Sequence, residues 1–106
     1  MARVLITLPR SARLGEVVEI RTLLSHPMES GQRTDAEGRL IPRDIVRQFS
    51  CRYDGELVFS ARLDTPIAVN PYIAFFTVAQ ATGTLVFAWE GDNGFRQTES
   101  RTLTVA

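Results

Sequence analysis

Apolar and polar residues alternate in short stretches along the whole 106-residue chain, and turn signals separate the stretches. A period of two is the mark of half-buried β-strands. Arg3 to Leu8 alternates and stops at Pro9. Gly15 to Leu24 places Val18, Ile20, Thr22 and Leu24 on one face and Glu19 and Arg21 on the other. Asp44 to Tyr53 carries Ile45, Phe49, Cys51 and Tyr53 at one parity. Asp54-Gly55 then predicts a two-residue hairpin turn, because both residue types tolerate positive φ. The return strand, Glu56 to Leu63, is expected to face inward with Leu57, Phe59, Ala61 and Leu63.

Beyond it, Asp64 to Pro71 holds two prolines and reads as a crossover. Tyr72 to Ala79 is apolar at both parities, as in a strand covered on both sides or one that exposes a contact surface. If Tyr72, Ala74, Phe76 and Val78 face the core, Ile73 and Phe75 face outward, and an outward apolar pair points to association. Thr84 to Glu90 alternates Leu85, Phe87 and Trp89 with Val86 and Ala88. Gly91-Asp92-Asn93-Gly94 turns into Phe95 to Val105, whose polar content suits an edge strand. The pattern predicts an all-β, immunoglobulin-like β-sandwich of about seven strands, formed by residues 1–106 as one domain. The exception is the polar run from Ser25 to Arg43, long for a connection in a compact domain and therefore a candidate functional loop. One helical turn could sit within it.

Composition narrows the function. The formal net charge is zero, without the basic excess of a nucleic-acid binder or of a protein held on anionic lipid. Every basic residue is arginine, which suits interfaces but is more simply explained by GC-rich coding. No segment is long enough to span a bilayer, and the N-terminal apolar run is too short for a signal-peptide core. Cys51 has no partner for an internal disulfide, so cysteine usage leaves the compartment open.

Catalytic chemistry finds few residues to work with. A nucleophile–base pair would have to be Cys51 with His26, yet Cys51 shares strand parity with Phe49 and Tyr53 and reads as an inert core thiol. A blue-copper site needs two histidines, and the chain has one. Glycines sit singly at turns, so no phosphate-cradling loop is present. No catalytic, cofactor-binding or metal-ligating residue is therefore assigned. His26 reads either as a strand-closing residue bonded to the loop, or as part of a contact surface with Met28 and Glu29, with Arg43 nearby if the loop folds back. The candidate partner interface is thus His26, Met28, Glu29, Arg43, Ile73 and Phe75. The alternative is a generic immunoglobulin-like module that holds a small ligand or metal in the His26–Arg43 loop.

The run from Gly15-Glu16-Val17-Val18-Glu19-Ile20 to Ser25-His26-Pro27-Met28-Glu29-Ser30-Gly31 resembles the SoxZ family. Ile41-Pro42-Arg43, the Cys51 strand with its Asp54-Gly55 hairpin, and Asn70-Pro71-Tyr72 extend the likeness over essentially the whole chain. The resemblance implies an immunoglobulin-like subunit of the SoxYZ carrier of bacterial thiosulfate oxidation, without catalytic residues or cofactor. It implies a heterodimer with SoxY, whose C-terminal glycine-rich arm carries sulfur on a cysteine, and transient contacts with other Sox enzymes. Cys51 lies mid-strand and does not match that arm. A periplasmic location, reached by co-export with a signal-bearing partner, is likewise implied by resemblance alone. Without its partner the chain is expected to self-associate.

Overall fold

The computed structural model describes residues 2–63 and 70–106, and most of the expected crossover from Asp64 to Pro71 lies outside them. Seven strands form: β1 (Val4–Thr7), β2 (Val17–Leu24), β3 (Val46–Tyr53), β4 (Glu56–Arg62), β5 (Tyr72–Val78), β6 (Gly83–Gly91) and β7 (Arg96–Leu103). They make two antiparallel sheets, β1-β2-β5 and β4-β3-β6-β7, packed face to face. The all-β sandwich read from the sequence is therefore the observed architecture. The order differs from the immunoglobulin constant-type arrangement in one respect, since the fourth strand pairs with β3 and not with β5.

Trp89, Phe49 and Phe87 fill the centre without exposure. Phe75 bridges the layers from β5, stacked on Phe59 of β4 at 4.7 Å and tilted against Phe49 of β3 at 6.0 Å. This corrects the expectation for β5. Ile73 and Phe75 point inward, and Tyr72, Phe76 and Val78 are exposed. Register supplies the reason. Phe75 lies opposite Ile20 and Ile73 opposite Thr22, and residues directly opposed in a sheet share a face. Thr22, polar yet buried, satisfies its hydroxyl by donating to the Ile73 carbonyl at 2.9 Å.

The return strand also departs from simple alternation. Cys51 pairs with Phe59 and Arg52 with Leu57, so Val58 is an extra residue. The bulge flips the strand's parity there. Leu57 faces solvent, while Val58 and Phe59 pack on the core. A second irregularity between Val46 and Gln48 lets both Ile45 and Val46 be buried. Asp54 (φ 49°) and Gly55 (φ 86°) form the expected hairpin turn.

The Ser25–Arg43 segment holds no helical turn; it folds as a ribbon. Glu29 and Asp44 exchange two backbone hydrogen bonds of 2.8 Å. Further out, the Ile41 N–H donates to the Arg33 carbonyl and the Asp35 N–H to the Arg39 carbonyl, both at 2.8 Å. The Asp35 side chain closes the tip by accepting the Glu37 and Arg39 amides at 2.9 Å. Residues 33–40 are exposed, and the molecule measures 57 × 21 × 20 Å.

Candidate functional site

Two regions could carry function: the end of the sandwich where the ribbon leaves, and the outer face of the β1-β2-β5 sheet. At the first, His26 is almost fully buried. Its Nδ1 accepts the Met28 N–H at 3.0 Å, which leaves the proton of the neutral ring on Nε2, 3.8 Å from the Asp44 carboxylate. The ring meets Phe95 edge-on at 4.9 Å. The backbone around it is latched to Asn70, whose side-chain oxygen accepts the His26 N–H (2.8 Å) and whose N–H donates to the His26 carbonyl (2.9 Å).

Met28 takes a left-handed backbone (φ 51°), an uncommon conformation for a residue with a side chain. The hydrogen bond from its N–H to His26 Nδ1 holds that turn, and its side chain is driven into the core. There the sulfur accepts the Val46 N–H at 3.3 Å. Met28 is thus a plug and not a surface contact, and His26 is its brace. Glu29 lies beside them with its side chain mostly covered, paired with Arg33, whose hydrogen bond holds the carboxyl below its ordinary value.

Arg43 folds back, as the sequence reading allowed, but it is engaged within the chain. Its guanidinium makes a two-pronged bond to Asp92 at 2.8 and 2.9 Å. Asp92 also accepts the Ile45 N–H at 3.2 Å and has Arg47 at 3.9 Å. Partial burial works to raise the Asp92 carboxyl. The Arg43 and Ile45 hydrogen bonds and the two arginine charges outweigh it and leave the carboxyl below its ordinary value. Gly31 fits tightly against Arg43, since a Cβ there would sit 3.0 Å from the arginine Cβ. The structure therefore gathers His26, Met28, Glu29 and Arg43 at one end. It places Ile73 and Phe75 elsewhere, between the sheets. Asn70, Asp92 and Phe95 complete the cluster; the Asn70-Pro71-Tyr72 run and the turn around Asp92 pointed to the first two, and Phe95 read only as the start of a strand.

This end is built for architecture. Among the described residues no group of three or more His, Cys, Asp or Glu side chains could hold a metal ion. Cys51 is fully buried on β3, and burial pushes its thiol up to about 12, so it carries almost no thiolate at neutral pH.

The second region is open. Of the nine large hydrophobic residues exposed among the described residues, Leu5, Val17, Tyr72, Phe76 and Val78 share the outer face of β1-β2-β5. The rows run Leu5–Leu23–Tyr72 and Val17–Val78, with an Arg21–Glu19 ion pair of 2.8 Å between them. Shallow depressions of about 180 and 250 Å³ flank Leu5 and Leu23, and Tyr72 walls the larger. The opposite outer face is mostly polar, with Arg52, Thr84, Thr98, Ser100 and Thr102 around Val86. Monomeric proteins rarely leave a contiguous apolar patch exposed without using it. The outward apolar residues of β5 are Tyr72, Phe76 and Val78, and not the Ile73 and Phe75 that the sequence reading turned outward.

No curated protein sequence matches the chain. In backbone it is similar to a superoxide reductase (neelaredoxin) from Ignicoccus hospitalis, at TM-score 0.73 and 14% identity, covering 97% of this chain and 80% of that one. It is also similar to the sulfur carrier protein SoxY from Chlorobium limicola f thiosulfatophilum, at TM-score 0.68 and 16% identity, covering 97% and 78%. At such identities these likenesses establish the sandwich fold alone. The profile of the family described as "Sulphur oxidation protein SoxZ" matches residues 6–102. With that match over nearly its full length, the chain belongs to the SoxZ family of sulfur-oxidation proteins.

Proposed function

We propose that this chain is the partner-binding subunit of a sulfur carrier, docking a SoxY-type protein on the outer face of β1-β2-β5. One observation carries the reading: the exposed apolar side chains collect on that sheet while the other outer face is mostly polar. In this arrangement the chain supplies a rigid platform and the partner supplies the reactive cysteine arm. Glu29 and Arg43 lie at the ribbon's root, where they shape the surface offered to the Sox enzymes that visit the arm. The ribbon projects from that root and is held by its own hydrogen bonds. The platform acts as one domain over residues 1–106, and its immunoglobulin-like character rests on the β1-β2-β5 and β3-β6-β7 orders. Family membership supports a periplasmic setting shared with the partner.

Titration calorimetry of the chain with a SoxY-type protein tests the reading. A complex that Leu5→Arg weakens is the expected result. Absence of a complex, or one indifferent to charge placed at Leu5, would refute it.

A further inference from the structure

A two-sheet sandwich has four edge strands, here β1, β5, β4 and β7. Three are protected against pairing with another chain by familiar devices. β1 has four residues. β4 carries a bulge and a charged residue at each end. β7 is studded with Arg96, Glu99 and Arg101. β5 has none of these. Its seven residues, Tyr-Ile-Ala-Phe-Phe-Thr-Val, include no charge and no proline, and its ladder with β2 runs seven consecutive pairs without a shift.

Hydrogen-bond phase shows which groups face the open side. The Leu24 N–H reaches the Pro71 carbonyl at 3.1 Å, and the Ala79 N–H reaches the Glu16 carbonyl at 2.8 Å. Bonded pairs alternate along an antiparallel ladder. The main chains of Ile73, Phe75 and Thr77 are therefore turned to β2, and those of Tyr72, Ala74, Phe76 and Val78 point away from it. Among the described residues nothing bonds to these outward groups.

We propose that a second copy of this chain pairs along β5, antiparallel, about a two-fold axis at Phe75. The inference rests on reading β1-β2-β5 as the contact sheet. This register matches all four outward residues, Tyr72 with Val78 of the second copy and Ala74 with Phe76, each pair exchanging two hydrogen bonds. A large side chain meets a smaller one in both pairs, and Phe75 meets its own counterpart on the inner face. No like charges are brought together, because β5 holds none and is flanked by Asn70 and Gln80. The product is an isologous dimer with one continuous sheet, β1-β2-β5-β5-β2-β1.

Sedimentation velocity of the full chain alone, at about 100 μM, is suited to a dimer of micromolar Kd. A concentration-dependent dimer is expected. Ala74→Pro, which removes only an outward donor, and Phe76→Lys should each weaken it by about tenfold or more, whereas Leu5→Arg, two strands away, should leave it intact. Oxidative cross-linking fixes the register: A74C mixed with F76C should couple, and neither variant alone should, because the diagonal spacing exceeds disulfide reach. Buried Cys51 does not compete. A chain that stays monomeric, a dimer that survives both edge variants when they are folded by circular dichroism, or cross-linking as efficient in either variant alone would each overturn the proposal. If Ala74→Pro does not fold, Phe76→Lys and the cross-linking pair decide. A chain that dimerises in this way but ignores a SoxY-type protein refutes the proposed function and leaves this inference standing. One that binds that protein yet is monomeric alone does the reverse.

Discussion

Phe75 and Phe76 are adjacent in sequence, and truncating each to alanine should give opposite results. Phe75 is 3% exposed and lies between Phe59 and Phe49, whereas Phe76 is 63% exposed on the outer face. Loss of the Phe75 ring removes its aromatic contacts with the opposite sheet and leaves a cavity that a packed sandwich fills only in part. The cost is about 3–5 kcal/mol, a large share of the roughly 5–15 kcal/mol that stabilises a domain. Phe76→Ala should change stability by less than about 1 kcal/mol, the range of strand propensity effects. Its effect belongs to binding. With about 200 Å² for a phenylalanine and 63% of it open, roughly 125 Å² awaits a partner, worth about 3 kcal/mol at ~25 cal/mol per Å² when fully covered. Imperfect coverage and ordering costs bring the expected loss on truncation to about 2 kcal/mol, or roughly thirtyfold in Kd for the SoxY-type partner. Urea melts of the dilute chain and calorimetric titration read the two quantities separately. A Phe76→Ala variant as unstable as Phe75→Ala would refute the assigned parity of β5. A stable Phe76→Ala variant with unchanged affinity would remove the outer face from the interface.

Three further outcomes follow from the interior. His26→Ala strands the buried Met28 N–H and loses the Phe95 contact, so urea melts should show about 2–4 kcal/mol of destabilisation, partly recovered by His26→Asn; added zinc should leave the Tm of the native chain unchanged. Because burial lifts the Cys51 thiol from its ordinary 9.0 to about 12, the folded chain keeps a proton that the unfolded chain releases. Stability is therefore unaffected by this group below about pH 9 and falls between about pH 9 and 12, and Cys51→Ala should flatten that alkaline limb in denaturation curves measured against pH. Gly91→Ala would place a Cβ 2.4 Å from the Ile45 carbonyl oxygen, a backbone atom, and should cost about 2–3 kcal/mol by thermal melt, whereas Gly15→Ala meets nothing within 4 Å and should cost only about 1 kcal/mol through its positive φ.

What the sequence revealed depended on where it placed charge. Glu19 and Arg21 mark the solvent side of β2, so Val18, Ile20, Thr22 and Leu24 could be assigned inward, and they are buried. Thr84 and Glu90 do the same for β6, whose Leu85, Phe87 and Trp89 are fully buried. In β4 the parity is reset by a bulge that arises from pairing with β3, a property of two strands together that neither sequence contains alone. At the ribbon's root the partners of His26 and Arg43 lie far along the chain, at Asn70, Phe95 and Asp92. Reading from neighbours could therefore name the residues but not their burial. β5 is the sharpest case. With no charged residue among its seven, nothing in the strand itself distinguishes its two faces, and only its register against β2 turns Phe75 inward. The same lack of charge that hid its orientation leaves both its outer face and the edge turned away from β2, unpaired among the described residues, without the usual barriers to association. The ambiguity of its sequence pattern is thus a physical property of the strand: it is compatible with apolar contact on every side that β2 does not already occupy.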